Sequence, residues 1–323
     1  MSDSHGSSIL ELKSRIERGD TFAMYVLGKK YYEGDGVDKD IDMAVELMKL
    51  AADGGQKEAE YTYGYFCCYG IGVPTDKIQA IKWYRKSANQ GYTEAQYGLG
   101  YMCDFGEGIE VNKMEAAKWY NLAADAGHPG ALCNLGNLYY NGWGVRLDRR
   151  QAANLFSRAA DRGNNDAMFN LARMYELGEG VSRNDAIALE YYNKAAEMGN
   201  PVSLYSMGMR YYIGNGVNQD IHLAAKLFKA AADKGYTEAQ CNYGTMLYYG
   251  EGVQKDFYAA ANYFAKASQN WSDVAIFYLG RMYLLGEGVK ADSRRGIGLL
   301  KLSAELGNKD AIELLENVQN LVS

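Results

Sequence analysis

Residues 131–160 read ALCNLGNLYYNGWGVRLDRRQAANLFSRAA, and this pattern of small, apolar and glycine residues returns every 36 positions along the 323-residue chain. One glycine column is unbroken in all eight units and consists of Gly36, Gly72, Gly108, Gly144, Gly180, Gly216, Gly252 and Gly288. Columns of alanine, leucine and valine keep the same spacing. A fixed period of this length indicates a repeat protein, with eight full units between residues 19 and 306.

Each unit predicts two helices. The first carries Ala131, Leu135 and Tyr139 at the spacing of one helical face, and the paired glycines that follow end it because glycine accepts left-handed backbone angles. The second begins after an aspartate or asparagine, whose side chain can accept hydrogen bonds from the first free N–H groups. These residues are Asp40, Asp76, Asn112, Asp148, Asn184, Asp220, Asp256 and Asp292. The sequence therefore predicts an all-α fold of helix pairs.

The helix pairs are expected to form one solenoid, because a single pair cannot cover its own apolar face and stacked neighbours can. Ile9 and Leu12 fit the apolar face of a further helix that precedes the first unit. We predict three segments. Residues 1–18 form a polar tail and a capping helix, residues 19–306 form eight repeats in one solenoid, and residues 307–323 form a C-terminal capping helix.

The composition excludes some classes of protein. The formal net charge of −6 argues against nucleic-acid binding, since that function requires a basic surface. No apolar run approaches the roughly 18 residues that span a bilayer, and residues 1–8 lack the pattern of a signal peptide. The five cysteines contain no CxxC pair, which favours a reducing compartment and structural thiols. We therefore expect a cytoplasmic protein without a membrane span.

No set of residues in the sequence indicates catalysis, a metal site or a cofactor. His5, His128 and His222 are the only histidines, lie far apart, and have no helical partner for metal binding, so we expect them on the surface. The sequence Gly178-Glu179-Gly180 and its counterparts follow a helix and precede a capping residue, whereas a dinucleotide loop follows a strand. We predict that the protein is not an enzyme and that it uses no cofactor.

The unit resembles the Sel-one-like repeat, a relative of the tetratricopeptide repeat. The resemblance is carried by the stretch from Ala131 to Gly136, by Tyr139 and the glycine pair, and by Asp148 and the alanines of the second helix. It covers residues 19–323 and about ten positions of each unit. It implies a right-handed superhelix, or α-solenoid, of antiparallel helix pairs. It also implies adaptor or scaffold roles, including bacterial interactions with host or rival cells.

In tetratricopeptide relatives, one face of the first helix lines a concave groove. In this chain that face holds the columns that begin at Val26, Lys29 and Glu33. Aromatic residues and arginine are enriched in binding hot spots, and asparagine can bond a peptide backbone. The predicted partner-binding residues are Tyr65, Tyr69, Tyr101, Phe105, Asn134, Asn137, Asn170, Arg173, Asn242, Tyr249 and Arg281. The alternative interpretation is an ordinary solvated face with some half-buried aromatic rings.

Two hypotheses for function follow. The first is a protein-interaction scaffold or adaptor that binds a peptide or a partner protein in the concave groove. The second is a bacterial immunity or regulatory protein that inhibits one cognate toxin or enzyme. A monomer is favoured, and the sequence does not identify the partner.

Overall fold

The computed structural model describes residues 8–320, which contain eighteen α-helices and no strand. The first nine helices are α1 (Ile9–Glu17), α2 (Thr21–Glu33), α3 (Ile41–Asp53), α4 (Lys57–Tyr69), α5 (Lys77–Asn89), α6 (Thr93–Phe105), α7 (Lys113–Asp125), α8 (Pro129–Asn141) and α9 (Arg149–Ala160). The other nine are α10 (Asn165–Leu177), α11 (Asp185–Glu197), α12 (Pro201–Ile213), α13 (Ile221–Asp233), α14 (Thr237–Tyr249), α15 (Phe257–Ser268), α16 (Asp273–Leu285), α17 (Ser293–Glu305) and α18 (Lys309–Asn320). The prediction of an all-α solenoid of 36-residue helix pairs is confirmed.

The predicted caps explain where the helices begin and end. The second helix of each pair, which is an odd-numbered helix from α3 to α17, starts after an aspartate or asparagine. The side chain of that residue accepts a hydrogen bond from a backbone N–H group. Asp148, for example, accepts from the backbone of Gln151 at 2.9 Å. At the end of α8, Gly142 has a φ of 71° and donates its N–H to Leu138. Glycine takes this left-handed conformation at little cost, so the first helix stops here.

Contacts between helices divide the chain into two compact units, residues 1–164 and residues 165–323. In the first unit, each helix from α1 to α8 packs on the next one along the chain, so that the series ends at α9. The core of this unit contains fully buried rings and leucines from both helices of a pair, including Phe66, Leu99, Tyr120, Leu132 and Phe156. In the second unit, the helices from α10 to α18 also pack in chain order. Its core includes Met207, Phe228, Met246, Phe264 and Met282.

A column of glycines inside the first helices allows the two helices of a pair to pack closely. A Cβ atom added to Gly100 would lie 2.7 Å from the ring of Tyr120, and one added to Gly136 would lie 2.7 Å from the ring of Phe156. Such distances are shorter than a normal van der Waals contact. The aromatic ring of the second helix therefore packs directly on the backbone of the first.

Three other sequence expectations can be compared with the structure. Tyr139, which shares the predicted helical face with Ala131 and Leu135, is half-buried because it lies in the last turn of α8 beside a loop. The five cysteines are free thiols. Within residues 8–320, no helix is both long and apolar enough to cross a membrane.

Candidate functional site

Helices α4 and α6 each carry a row of aromatic side chains on one face. Tyr61, Tyr65 and Tyr69 follow one another at four-residue intervals on α4, and α6 carries aromatic residues at the same three positions. Residues four apart are neighbours on a helix surface. Accordingly, the rings of Tyr65 and Tyr69 lie 4.5 Å apart between centroids, as do those of Tyr101 and Phe105.

A cleft of about 450 Å³ opens between these two rows. Six tyrosines line it, and we call it the tyrosine cleft: Tyr61, Tyr65, Tyr69, Tyr84, Tyr97 and Tyr101. Three of their side chains are well exposed, with fractions of 37% for Tyr65, 64% for Tyr69 and 41% for Tyr101. Rigid, amphipathic rings gathered around one concave opening are typical of protein-binding sites.

The floor of the cleft is formed by Tyr84 of α5 and by Gly98 of α6. Tyr84 is only 5% exposed, and its ring stacks on that of Tyr61 at 5.2 Å. A Cβ atom at Gly98 would contact the Tyr84 ring at 3.4 Å. Because glycine has no side chain, Gly98 leaves the ring and hydroxyl of Tyr84 accessible from the cleft.

The phenols of Tyr61 and Tyr84 stay protonated over the physiological pH range, because the pKa of each is raised. Burial raises the pKa of Tyr61 to about 12, and the carboxylate of Glu94 contributes to the increase. Burial also raises the pKa of Tyr84 well above its ordinary value, with smaller contributions from the neighbouring phenols and the Cys68 thiol. Their hydroxyl groups can therefore both donate and accept hydrogen bonds.

Charged residues surround the cleft. Lys77 forms an ion pair with Glu107, and both residues line the opening. Glu94 lies 3.2 Å from the imidazole of His128, which stacks on Tyr97 at 4.3 Å. Of the three histidines expected on the surface, His222 is exposed, His128 is half-buried and His5 lies outside the described residues. The His128 side chain is 13% exposed and accepts a hydrogen bond from the backbone N–H of Ala131 at the start of α8.

The structure brings three of the predicted binding residues together in the cleft, namely Tyr65, Tyr69 and Tyr101. Phe105 packs beside Tyr101. Asn134 donates from Nδ2 to the hydroxyl of Tyr120 at 3.0 Å, so part of its hydrogen-bonding capacity is used inside the fold. Asn137 lies on the same helix and is half-buried.

The remaining predicted residues belong to the second unit and do not line the tyrosine cleft. They are Asn170 and Arg173 on α10, Asn242 and Tyr249 on α14, and Arg281 on α16. Three of them contact other side chains of the second unit. Asn242 donates to the sulfur of Met209 at 3.5 Å, the Arg281 guanidinium lies 5.3 Å from the Tyr248 ring centre, and the hydroxyls of Tyr249 and Tyr278 are 3.5 Å apart.

Sequence reasoning missed the floor and the charged rim of the cleft. Tyr84, Lys77 and Glu107 were not among the residues predicted from the sequence, although all three line the cleft. One signal was present. Gly98 stands in the column that begins at Val26, where every other repeat has a side chain.

The described part of the chain offers no group of three histidine, cysteine or acidic side chains that could hold a metal ion. The residues that line the cleft offer aromatic stacking, hydrogen bonding to phenols and charge attraction.

Eight segments of the chain match the family model of the Sel1 repeat. They are residues 21–56, 57–92, 93–128, 129–164, 165–200, 201–236, 237–270 and 273–308. The chain belongs to the Sel1 repeat family. Sel1 repeat proteins are generally scaffolds for protein interaction. The tyrosine cleft lies between the second and third of these Sel1 repeats, which contain α4 to α7.

Solved structures share this fold. The protective antigen c5321 of uropathogenic Escherichia coli is 34% identical, with a TM-score of 0.77 over 95% of this chain, and this chain spans 66% of that protein. A Sel1 repeat protein from Oxalobacter formigenes is 31% identical, with a TM-score of 0.68 over 98% of this chain and 91% of its own. The immunity protein Pa5087 from Pseudomonas aeruginosa is 22% identical, with a TM-score of 0.44 over 66% of this chain and 81% of its own, which is too distant to bear on function. No curated protein matches the sequence significantly.

Proposed function

We propose that this chain is a non-catalytic interaction scaffold that binds an extended peptide segment of a partner protein in the tyrosine cleft. One observation carries the proposal. The rings of Tyr65, Tyr69 and Tyr101 remain exposed around a single opening, whereas Phe66 of α4 is buried and Tyr61 and Tyr97 are half-buried. Exposed aromatic rings that surround a pocket provide large contact areas at low cost in conformational entropy.

The shape of the cleft supports a peptide as the ligand. A volume of about 450 Å³ accommodates one or two side chains rather than a whole helix. The walls are held by packed helices, so little ordering of the scaffold accompanies binding. The dedicated inhibitor considered from the sequence would also bind one protein, and that hypothesis stays a prediction.

The proposal is tested with peptides selected from a random phage-displayed library on the intact chain. We expect that the double variant Tyr65→Ala/Tyr101→Ala binds these peptides at least about tenfold more weakly, because two aromatic anchors are lost. The matched control is Tyr258→Ala, which removes a ring that is 76% exposed on α15, far from the cleft in sequence. Isothermal titration calorimetry measures the dissociation constants, and circular dichroism checks that helicity is unchanged.

A failure to select any binder would contradict the proposal. So would peptides whose affinity is the same for the double variant and the wild-type chain.

A further inference from the structure

Three repeats place a tyrosine at the same position of the second helix, and two of them pair its hydroxyl inside the fold. The hydroxyl of Tyr120 donates to Oδ2 of Asp104 at 3.2 Å and accepts from Asn134 at 3.0 Å. The hydroxyl of Tyr192 donates to Oε2 of Glu176 at 2.8 Å. The acid precedes each of these two tyrosines by 16 residues, and the asparagine follows Tyr120 by 14.

The third tyrosine, Tyr84, lacks both kinds of partner. The position of the acid is occupied by Cys68 and that of the asparagine by Gly98. Within residues 8–320, the Tyr84 hydroxyl has no hydrogen-bond partner, although the side chain is more than nine-tenths buried. The hydroxyl oxygen of Tyr84 is not among the fully buried polar atoms without a partner in the described residues, so it is open to solvent. The unpaired hydroxyl lies at the floor of the tyrosine cleft, where a ligand can reach it.

The surroundings of the cleft favour a positive charge. The faces of tyrosine rings attract cations within about 6 Å. The carboxylate of Glu94 acts on both Tyr61 and Tyr97, which line the cleft. Among the described residues that line the cleft, the cation is Lys77, and it forms an ion pair with Glu107. An acidic side chain would be repelled here, and an apolar one would leave the Tyr84 hydroxyl without a partner.

We propose that the tyrosine cleft binds a cationic side chain, arginine or lysine, of the partner peptide. The charged head group lies against the tyrosine rings and donates a hydrogen bond to the hydroxyl of Tyr84. The inference rests on the proposed function, because it names the chemistry of the peptide that the cleft accepts.

The first arm of the test changes the peptide. In the selected peptides, each arginine is replaced by citrulline and each lysine by norleucine, which keeps most of the side-chain length and removes the charge. We expect one such replacement to weaken binding to the wild-type chain by about tenfold or more, since cation–π and charge attraction are lost together.

The second arm changes the protein. Gly98→Asn gives Tyr84 the amide partner that Asn134 gives Tyr120, and it fills the floor of the cleft. Asparagine occurs at the same place in three other repeats, at Asn134, Asn170 and Asn242, so the variant is expected to fold. It should bind the charged and neutral peptides with the same weak affinity. The control is Ser206→Asn, the corresponding change in the second unit, which should leave binding unchanged.

The outcomes separate the two proposals. Peptides that depend on Tyr65 and Tyr101, but contain no basic residue or tolerate its neutralisation, would overturn the cationic inference and leave the peptide-binding function intact. Unchanged affinity in Gly98→Asn would also overturn the inference. Peptides that bind the Tyr65→Ala/Tyr101→Ala variant as tightly as the wild-type chain would overturn the proposed function itself.

Discussion

Tyr84 and Tyr120 occupy the same position in consecutive repeats, yet one lies at the floor of a cleft and the other lies inside a closed core. Both rings pack on a glycine of the preceding helix, Gly64 for Tyr84 and Gly100 for Tyr120. Tyr120 is 0% exposed and has two hydrogen-bond partners, whereas Tyr84 is 5% exposed and its hydroxyl has no partner among residues 8–320. The tyrosine cleft therefore lies where Cys68 and Gly98 take the positions of Asp104 and Asn134, and the glycine that admits the aromatic ring is the same in both repeats.

The difference between Tyr84 and Tyr120 shows that the positions that determine the fold differ from those that form the cleft. The fold of each helix pair depends on repeat positions that hardly vary. Examples are the glycines that allow an aromatic ring to pack on the first helix and the aspartates that cap the second helix. The cleft depends on positions between these columns, where Gly98 and Cys68 replace the asparagine and aspartate found one repeat later.

Two glycines on the same helix provide the test with the largest expected effect. Gly100→Ala should lower the free energy of unfolding by about 1–3 kcal/mol, because its Cβ would lie 2.7 Å from the Tyr120 ring. Gly98→Ala should raise it by up to about 1 kcal/mol, since alanine favours helix and its Cβ would make an ordinary 3.4 Å contact with Tyr84. Urea denaturation followed by circular dichroism measures both changes. Equal effects of the two substitutions would show that the floor of the cleft is as tightly packed as the core.

Removing the hydroxyl of Tyr120 or of Tyr84 should give a smaller difference in the free energy of unfolding. Tyr120→Phe leaves Asp104 and Asn134 without this partner and should cost about 1–2 kcal/mol of folding free energy. Tyr84→Phe removes a hydroxyl that has no partner, so its free energy of unfolding should stay within about 0.5 kcal/mol of wild type. The same denaturation experiment compares them. A similar loss in both variants would mean that the Tyr84 hydroxyl is bonded within the fold.

The fold could be predicted from the sequence because its determinants are local and repeated eight times. The caps such as Asp148, the left-handed glycines such as Gly142 and the apolar stripe of each helix all act within a few residues. The three exposed tyrosines of the cleft could also be predicted, because one helical face holds Tyr65 and Tyr69, and the next repeat places Tyr101 at the corresponding position.

The floor of the cleft could not be predicted because it depends on how one repeat packs on the next. Only the structure shows that residue 98 lies over the Tyr84 ring and that Asn134 is bonded to Tyr120. Similarly, the stacking of His128 on Tyr97 follows from the turn between two repeats. Asn242 contacts Met209, and Arg281 contacts Tyr248. These contacts depend on side-chain conformations that the repeat pattern of the sequence does not specify.

The location of binding can be read directly by NMR of the chain labelled at its methionine methyl groups. Met102 lines the tyrosine cleft, and Met282 occupies the corresponding buried position in the second unit. The Met102 signal can be assigned with the conservative variant Met102→Leu. When a selected peptide is added, the account predicts a concentration-dependent shift of the Met102 signal and no shift of the Met282 signal. A bound peptide that moves Met282 and leaves Met102 unchanged would contradict it.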